Sequence, residues 1–154
     1  MEDIDRLDIR ILELLQDNAA LANAEVADRV GLSPNACWRR TRRLEERGII
    51  RRRVALLSQK KLDLNVTVFV GIKTNEHNDQ WLKTFAEGVK AMPEVVEFYR
   101  MSGETDYMLK IVARDIADYD RVYKKLIAVA PLSDVSSSFA MERIKSSTAI
   151  PLST

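Results

Sequence analysis

The 154-residue sequence contains one cysteine, Cys37, and one histidine, His77. A single thiol excludes an internal disulfide and any zinc or iron-sulfur site built chiefly from thiolates. The lone imidazole argues against a metal centre, so no metal or other cofactor is expected. No Ser-His-Asp or Cys-His set can be recognised and no glycine-rich phosphate loop is present, so nothing points to an enzyme. Long apolar runs are missing too: none reaches about 18 residues, and the N-terminus MEDIDRLDIR is acidic where a secretory leader is basic and then apolar. A folded, cytoplasmic protein is expected, with 46% apolar residues, enough for one mid-sized domain or two small ones.

What the sequence does have is charge, unevenly placed. The net charge of +1 hides a partition: residues 1–32 carry three basic and eight acidic groups, residues 33–61 ten basic and two acidic, and residues 62–154 eleven basic and thirteen acidic. Eight of the arginines fall within SPNACWRRTRRLEERGIIRRR, residues 33–53. Salt screens charges beyond roughly 10 Å, so near-neutrality elsewhere does not cancel this basic stretch at contact range.

The spacing around that stretch predicts helices. Asp5 and Asp8 suit an N-cap and an acidic first turn, and Leu7, Ile11, Leu14 and Leu15 recur at helical spacing, giving a helix over about 7–17. Asn23 is expected to cap a short second helix with Val26, Ala27 and Val30 on one side, and Gly31 to stop it. Ser33 then caps a third helix with Pro34 in its first turn, where the missing donor costs nothing. Two short helices joined by a tight capped turn are a helix-turn-helix unit.

On a wheel of the third helix, Cys37, Thr41, Leu44 and Gly48 fall within about 60° and form the packing seam. Asn35, Arg39, Arg42, Arg43 and Glu46 lie opposite; Trp38 and Arg40 flank the seam. An amide and guanidinium groups match purine edges and phosphates in donor and acceptor geometry. A solvated helix normally mixes signs at i,i+4, whereas here arginine follows arginine with no acid before Glu45, which favours nucleic acid over plain solvation. After Gly48, Ile49 and Ile50 begin an extended segment, with Arg51, Arg52 and Arg53 as a basic wing over the backbone. Cys37 reads as a small core side chain, Trp38 as packing beside the seam rather than stacking on a base, and Arg40 as holding a phosphate or an acidic neighbour or else touching a base.

Residues 54–65, VALLSQKKLDLN, suit a short apolar strand and a hinge. Beyond them the periods alternate: strand at 66–73, helix in HNDQWLKTFAEGVKAM, strands at 95–100 and 107–113, a helix marked by Tyr119, Val122, Tyr123, Leu126 and Ile127, and a strand in DVSSSFAM. The order β-α-β-β-α-β is the ferredoxin-like unit, with both helices on one side of an antiparallel sheet. Its other face needs a cover, which predicts a dimer through the sheets. In the loop MSGETD, Gly103 permits an unusual turn, and Asp106 either caps the hairpin or pairs with an ammonium while nearby amides take a carboxylate, as a free amino acid requires. Ser136 and Ser138 share a face of the last strand and either add polar contacts or are merely tolerated.

The sequence resembles the Lrp/AsnC (feast/famine) transcriptional regulators along nearly its whole length. The pattern D-x-x-D-x-x-I-L-x-x-L-Q appears as Asp5, Asp8, Ile11, Leu12, Leu15 and Gln16, followed by VADRVGLSPNACWRRTRRLEERGII and then MPEVVEFYRMSGETDYMLKI. The resemblance implies an α+β architecture. A winged helix-turn-helix DNA-binding domain spans 1–53, a strand and hinge linker 54–65, and a ferredoxin-like amino-acid-sensing and oligomerisation domain 66–154. It implies double-stranded DNA as partner, bound through Ser33, Asn35, Trp38, Arg39, Arg40, Arg42, Arg43, Arg51, Arg52 and Arg53. A free amino acid is the expected effector, held between dimers near Tyr99, Met101, Gly103, Glu104, Thr105 and Asp106, with Ser136 and Ser138. Assembly is expected as a homodimer building higher oligomers such as octamers. SDVSSSFAMERIK and PNACWRR are most similar to the subgroup that includes cysteine-responsive regulators. The sequence departs from the family at Asp63, where a linker glycine is usual, and at Cys37 and Thr41, where larger aliphatics are common. The rival reading is a DNA-binding architectural protein without a ligand.

Overall fold

The computed structural model describes residues 4–76 and 78–152; His77 lies outside the described residues. The chain divides into two compact units. One runs up to Leu56 and includes the C-terminal stretch from Ile144, and the other spans Leu57–Arg143.

In the first unit, α1 spans Arg6–Asp17, α2 Asn23–Val30 and α3 Pro34–Glu46. The Asp5 side chain accepts from the backbone N–H of Leu7 and Asp8, and the Asp5 N–H donates to the Asp8 carboxylate, closing a capping box that starts α1. The residue preceding α2 is Ala22, with no side-chain cap; Asn23 is already helical, and its amide donates instead to the Pro34 carbonyl at 2.8 Å. The cap expected of Asn23 is therefore not formed, and its side chain ties α2 to the start of α3. Gly31 ends α2 in the left-handed region at φ 72°, with its N–H on Ala27 and Asp28. Ser33 Oγ accepts from Ala36 and Pro34 occupies the first turn of α3, as the sequence predicts. Ile11, Leu12, Val26, Ala27, Val30, Cys37 and Leu44 form the shared core.

One expectation for the surrounding chain fails. Val54 and Leu56 lie in the stretch expected to form a strand, but no strand occurs there; both are exposed. A strand needs a partner edge for its backbone groups, and none is supplied there among the described residues. The C-terminal stretch from Ile144, expected as the end of the second domain, packs with the first unit. Gln16 both donates to the Ile150 carbonyl and accepts its N–H at 2.8 Å, and Leu152 packs against the helical core.

The second unit contains β1 (Val66–Lys73), α4 (Asp79–Lys90), β2 (Val95–Arg100), β3 (Tyr107–Ala113), α5 (Ile116–Ile127) and β4 (Asp134–Phe139). The strands form one antiparallel sheet in the order β2-β3-β1-β4. Asn78 and Asp115 cap the two helices. Val68, Val70, Ile72, Leu109 and Ile111 project from the sheet onto Trp81, Phe85, Val89, Tyr119, Val122 and Leu126 of the helices. Trp81 and Phe85 stack at 4.9 Å, and the Trp81 indole N–H donates to the Pro131 carbonyl. The preceding 3-10 turn, Lys60–Leu62, ends on Asp63 in the left-handed region at φ 57°. That conformation is the one a glycine would adopt without penalty, and aspartate is among the few other residues that tolerate it.

Candidate nucleic-acid interface and ligand loop

On the expected seam of α3, Cys37 and Leu44 are fully buried and Thr41 is half-buried, whereas Gly48 is exposed beyond the end of the helix. Burial pushes the Cys37 thiol up, with a hydrogen bond involving Thr41 acting the other way. Asn35 and Arg39 are exposed on α3.

The basic side chains fall into three groups. Among the described residues, Arg39, Arg51 and Arg52 are exposed and have no hydrogen-bond or ion-pair partner. Arg42 donates to Glu46 at 2.8 Å, and its guanidinium carbon lies 5.3 Å from the centroid of Trp38, whose ring is 51% exposed. The Trp38 ring therefore carries a cation on one face. Arg53 donates to Glu45 at 3.1 Å and to the Ala19 carbonyl.

Arg40 and Arg43 form the third group and turn toward α1. Arg40 donates to Asp5 at 2.7 Å and to Asp8 at 2.9 Å, and Arg43 donates to Asp8 at 2.6 Å. Asp8 is fully buried. The wheel places Arg43 toward the outer side of α3, but its stem is long enough to fold over the helix edge and bring the guanidinium to α1. Arg40 takes the acidic neighbours Asp5 and Asp8, one of the roles its position on the helix flank leaves open. The backbone N–H of Asp8 and the Arg40 guanidinium hold the Asp5 carboxyl below its usual range. Asp8 is the residue that sequence reasoning missed: it was read only as first-turn acid, and its arginine partners lie more than thirty residues away.

In the second unit, Gly103 turns the β2–β3 loop at φ 112°, and the Met101 N–H donates to the Asp106 carbonyl across it. Asp106 caps the end of β1: its carboxylate accepts from the Thr74 N–H at 2.9 Å, and its own N–H donates to Ile72. Glu104, at the exposed tip, takes the Lys73 ammonium at 2.9 Å, which pushes Lys73 up and Glu104 down. Tyr99, Met108, Gly71 and Ser136 lie side by side across the four strands, and Phe69 and Ser138 are paired in the neighbouring row. A Cβ at Gly71 would stand 3.3 Å from the Thr105 side chain, with the Ser136 carbonyl next to it at 3.9 Å. Thr105 and Ser136 are thus brought together over a glycine that the sequence reading passed over. A glycine inside a strand pattern was the available signal. Met101 is exposed at the start of the loop, and the Tyr99 hydroxyl donates to Glu97 rather than projecting unpaired.

Two family models match the chain: winged helix-turn-helix DNA-binding over residues 4–51, and Lrp/AsnC ligand binding domain over residues 67–150. The glutamate uptake regulatory protein of Zymomonas mobilis is 50% identical over 149 residues, covering 97% of this chain and 91% of that protein. The DNA-binding transcriptional activator DecR of Escherichia coli is 44% identical over 150 residues, covering 97% and 99%. A transcriptional regulator of Neisseria meningitidis, solved as a complex with L-Met, superposes with a TM-score of 0.92 at 35% identity, over 97% of each chain. With its capped helix-turn-helix, its four-stranded α+β unit and these relatives along almost its whole length, the chain belongs to the Lrp/AsnC family of DNA-binding transcriptional regulators.

Proposed function

We propose that this protein regulates amino-acid metabolism by reading a specific DNA sequence through α3 and answering to a small amino acid at the second unit. The observation that carries the DNA half is the set of exposed, unpartnered Arg39, Arg51 and Arg52, with Asn35 on the same outward side of α3 as Arg39. Asn35 and Arg39 have the donor geometry to read base edges, with Arg42 on its Trp38 platform beside them. Arg51 and Arg52 meet phosphates, and Arg53 joins them once it leaves Glu45. Ser33, committed to its cap, contributes through the helix start. Base contacts specify and phosphate contacts position, so the two groups separate experimentally. On a duplex that the protein selects from a random pool, Arg39→Ala costs about 1–3 kcal/mol and relaxes one base position. Arg52→Ala weakens selected and scrambled duplexes alike and flattens the salt slope by about one. Equal losses from both variants on both duplexes would refute this division.

The effector reading rests on the loop from Met101 to Asp106, with Thr105 and Ser136 over Gly71 and Tyr99 and Ser138 on the same sheet face. Gly103 and Glu104 shape the loop tip. The L-Met complex of the Neisseria relative supports a free amino acid as the ligand class, and the Zymomonas relative's role in glutamate uptake supports amino-acid metabolism as the setting. Cysteine is one candidate among small amino acids. Homodimers form through the outer sheet face, where Phe69 and Tyr99 are exposed, and build higher oligomers with the ligand between dimers; the protein acts in the cytoplasm. One observation favours the ligand-independent architectural reading: Asp106, the carboxylate suited to an ammonium, already holds the Thr74 N–H. Calorimetry against the twenty amino acids decides between them: heat with a changed DNA footprint supports sensing, and neither supports the architectural role.

A further inference from the structure

A buried carboxylate between two arginines of a DNA-reading helix has a use beyond stability. Asp8 is fully buried, and three donors converge on it: Arg40 on Oδ1, and Arg43 together with the Asp5 N–H on Oδ2. Asp5, which starts the same helix, takes Arg40 a second time. Arg40 and Arg43 lie three residues apart on α3, so the carboxylate grips one edge of that helix at two points about a turn apart. Two directional contacts fix the rotation of a helix about its own axis. The seam on the adjacent face is built from Cys37, Thr41 and Leu44, of which the first two are small and apolar contact is non-directional, so it constrains that rotation less. Apolar residues of similar volume commonly serve stability as well as a buried ion pair does, and the attested use of such pairs is to specify one arrangement.

We propose that Asp8 is a positioning residue for DNA recognition. It sets the angle at which α3 presents Asn35 and Arg39, and it withholds Arg40 and Arg43 from phosphates. The inference rests on the reading of α3 as the DNA-reading helix. Two consequences of losing the charge run in opposite directions. Freed guanidinium groups at the edge of a basic face strengthen binding to any duplex, whereas a loosened α3 reads bases less well.

The test compares full-length wild type and Asp8→Asn on a duplex selected by the wild type from a random pool and on a scrambled duplex of the same composition, over a range of salt. Affinity for the scrambled duplex is expected to rise and its salt slope to steepen by about 1 to 2, one increment per released arginine. The advantage of the selected duplex is expected to fall about tenfold, the scale of one good base contact. Asp8→Glu, which keeps the charge, should retain the wild-type slope. A role confined to stability predicts parallel losses on both duplexes with the slope unchanged, and that result overturns the proposal. If Asp8→Asn does not fold, Arg43→Gln answers the same question. Its slope should stay at the wild-type value while discrimination falls, and a slope flattened by about one would place Arg43 on a phosphate and sink the idea. Arg39→Ala measured alongside separates the failures: equal losses on both duplexes there refute the reading of α3 itself, whereas a normal Arg39 response with an unmoved Asp8→Asn refutes only this inference.

Discussion

An arginine offers DNA only what its own protein has not already claimed. Arg39, Arg51 and Arg52 offer a whole guanidinium, Arg42 and Arg53 share theirs with Glu46 and Glu45, and Arg40 and Arg43 are turned onto Asp8. Runs of arginine in a sequence cannot display this sorting, because the acid that claims each cation is fixed by the fold. The Arg42–Glu46 pair is more than half exposed on both sides, so it is worth about 0–1 kcal/mol and yields easily to a phosphate. Glu46→Gln removes the competitor and leaves Trp38 to hold the guanidinium. Anisotropy titrations should show affinity rising by no more than about fivefold, on selected and scrambled DNA alike. A gain confined to the selected duplex would mean that Glu46 itself discriminates between bases.

At the scale of elements, α4 meets the segment just after α5 at Gly88. A Cβ at Gly88 would lie 2.4 Å from a methyl of Val129. Alanine in mid-helix gains about 1 kcal/mol over glycine in propensity, but overpacking of a tight contact costs about 1–3 kcal/mol. The clash should win, so Gly88→Ala lowers the urea midpoint; a raised midpoint would show that Val129 moves aside freely. Elements like these were largely readable in advance. Each of the first three strands has its own β-branched or aromatic run, and the predicted spans 66–73, 95–100 and 107–113 are those observed. The last strand stops at Phe139, two residues short of the run that suggested it. What could not be read depends on distant partners. The apolar stretch containing Val54 and Leu56 looks like a strand locally but has no edge to join. The C-terminal stretch has no periodicity, and its place beside the helical unit is made by the two hydrogen bonds between Gln16 and Ile150, 134 residues apart, and by Leu152 on the helical core. In the loop between β2 and β3, Gly103 and Asp106 were legible as turn and cap, whereas the Thr105 contact over Gly71 required the register of the sheet.

For the whole molecule, a chain of net charge +1 carries its surplus of cations in the unit that meets DNA and an acidic balance in the unit proposed to sense a ligand. The chain passes between the two units twice, once after Leu56 and again after Arg143. A coupling of about 1–3 kcal/mol between amino acid and DNA is the usual size for such linkage. The central proposal is narrower: the unpartnered Arg39, Arg51 and Arg52, on and after α3, carry the DNA contacts. The logarithm of the observed binding constant, plotted against the logarithm of salt concentration for the full-length protein on its selected duplex, tests this most directly. Phosphate contacts from Arg51 and Arg52 alone predict a slope of about −1.8 per bound protomer, steeper if Arg53 joins them. A slope near zero would contradict the account.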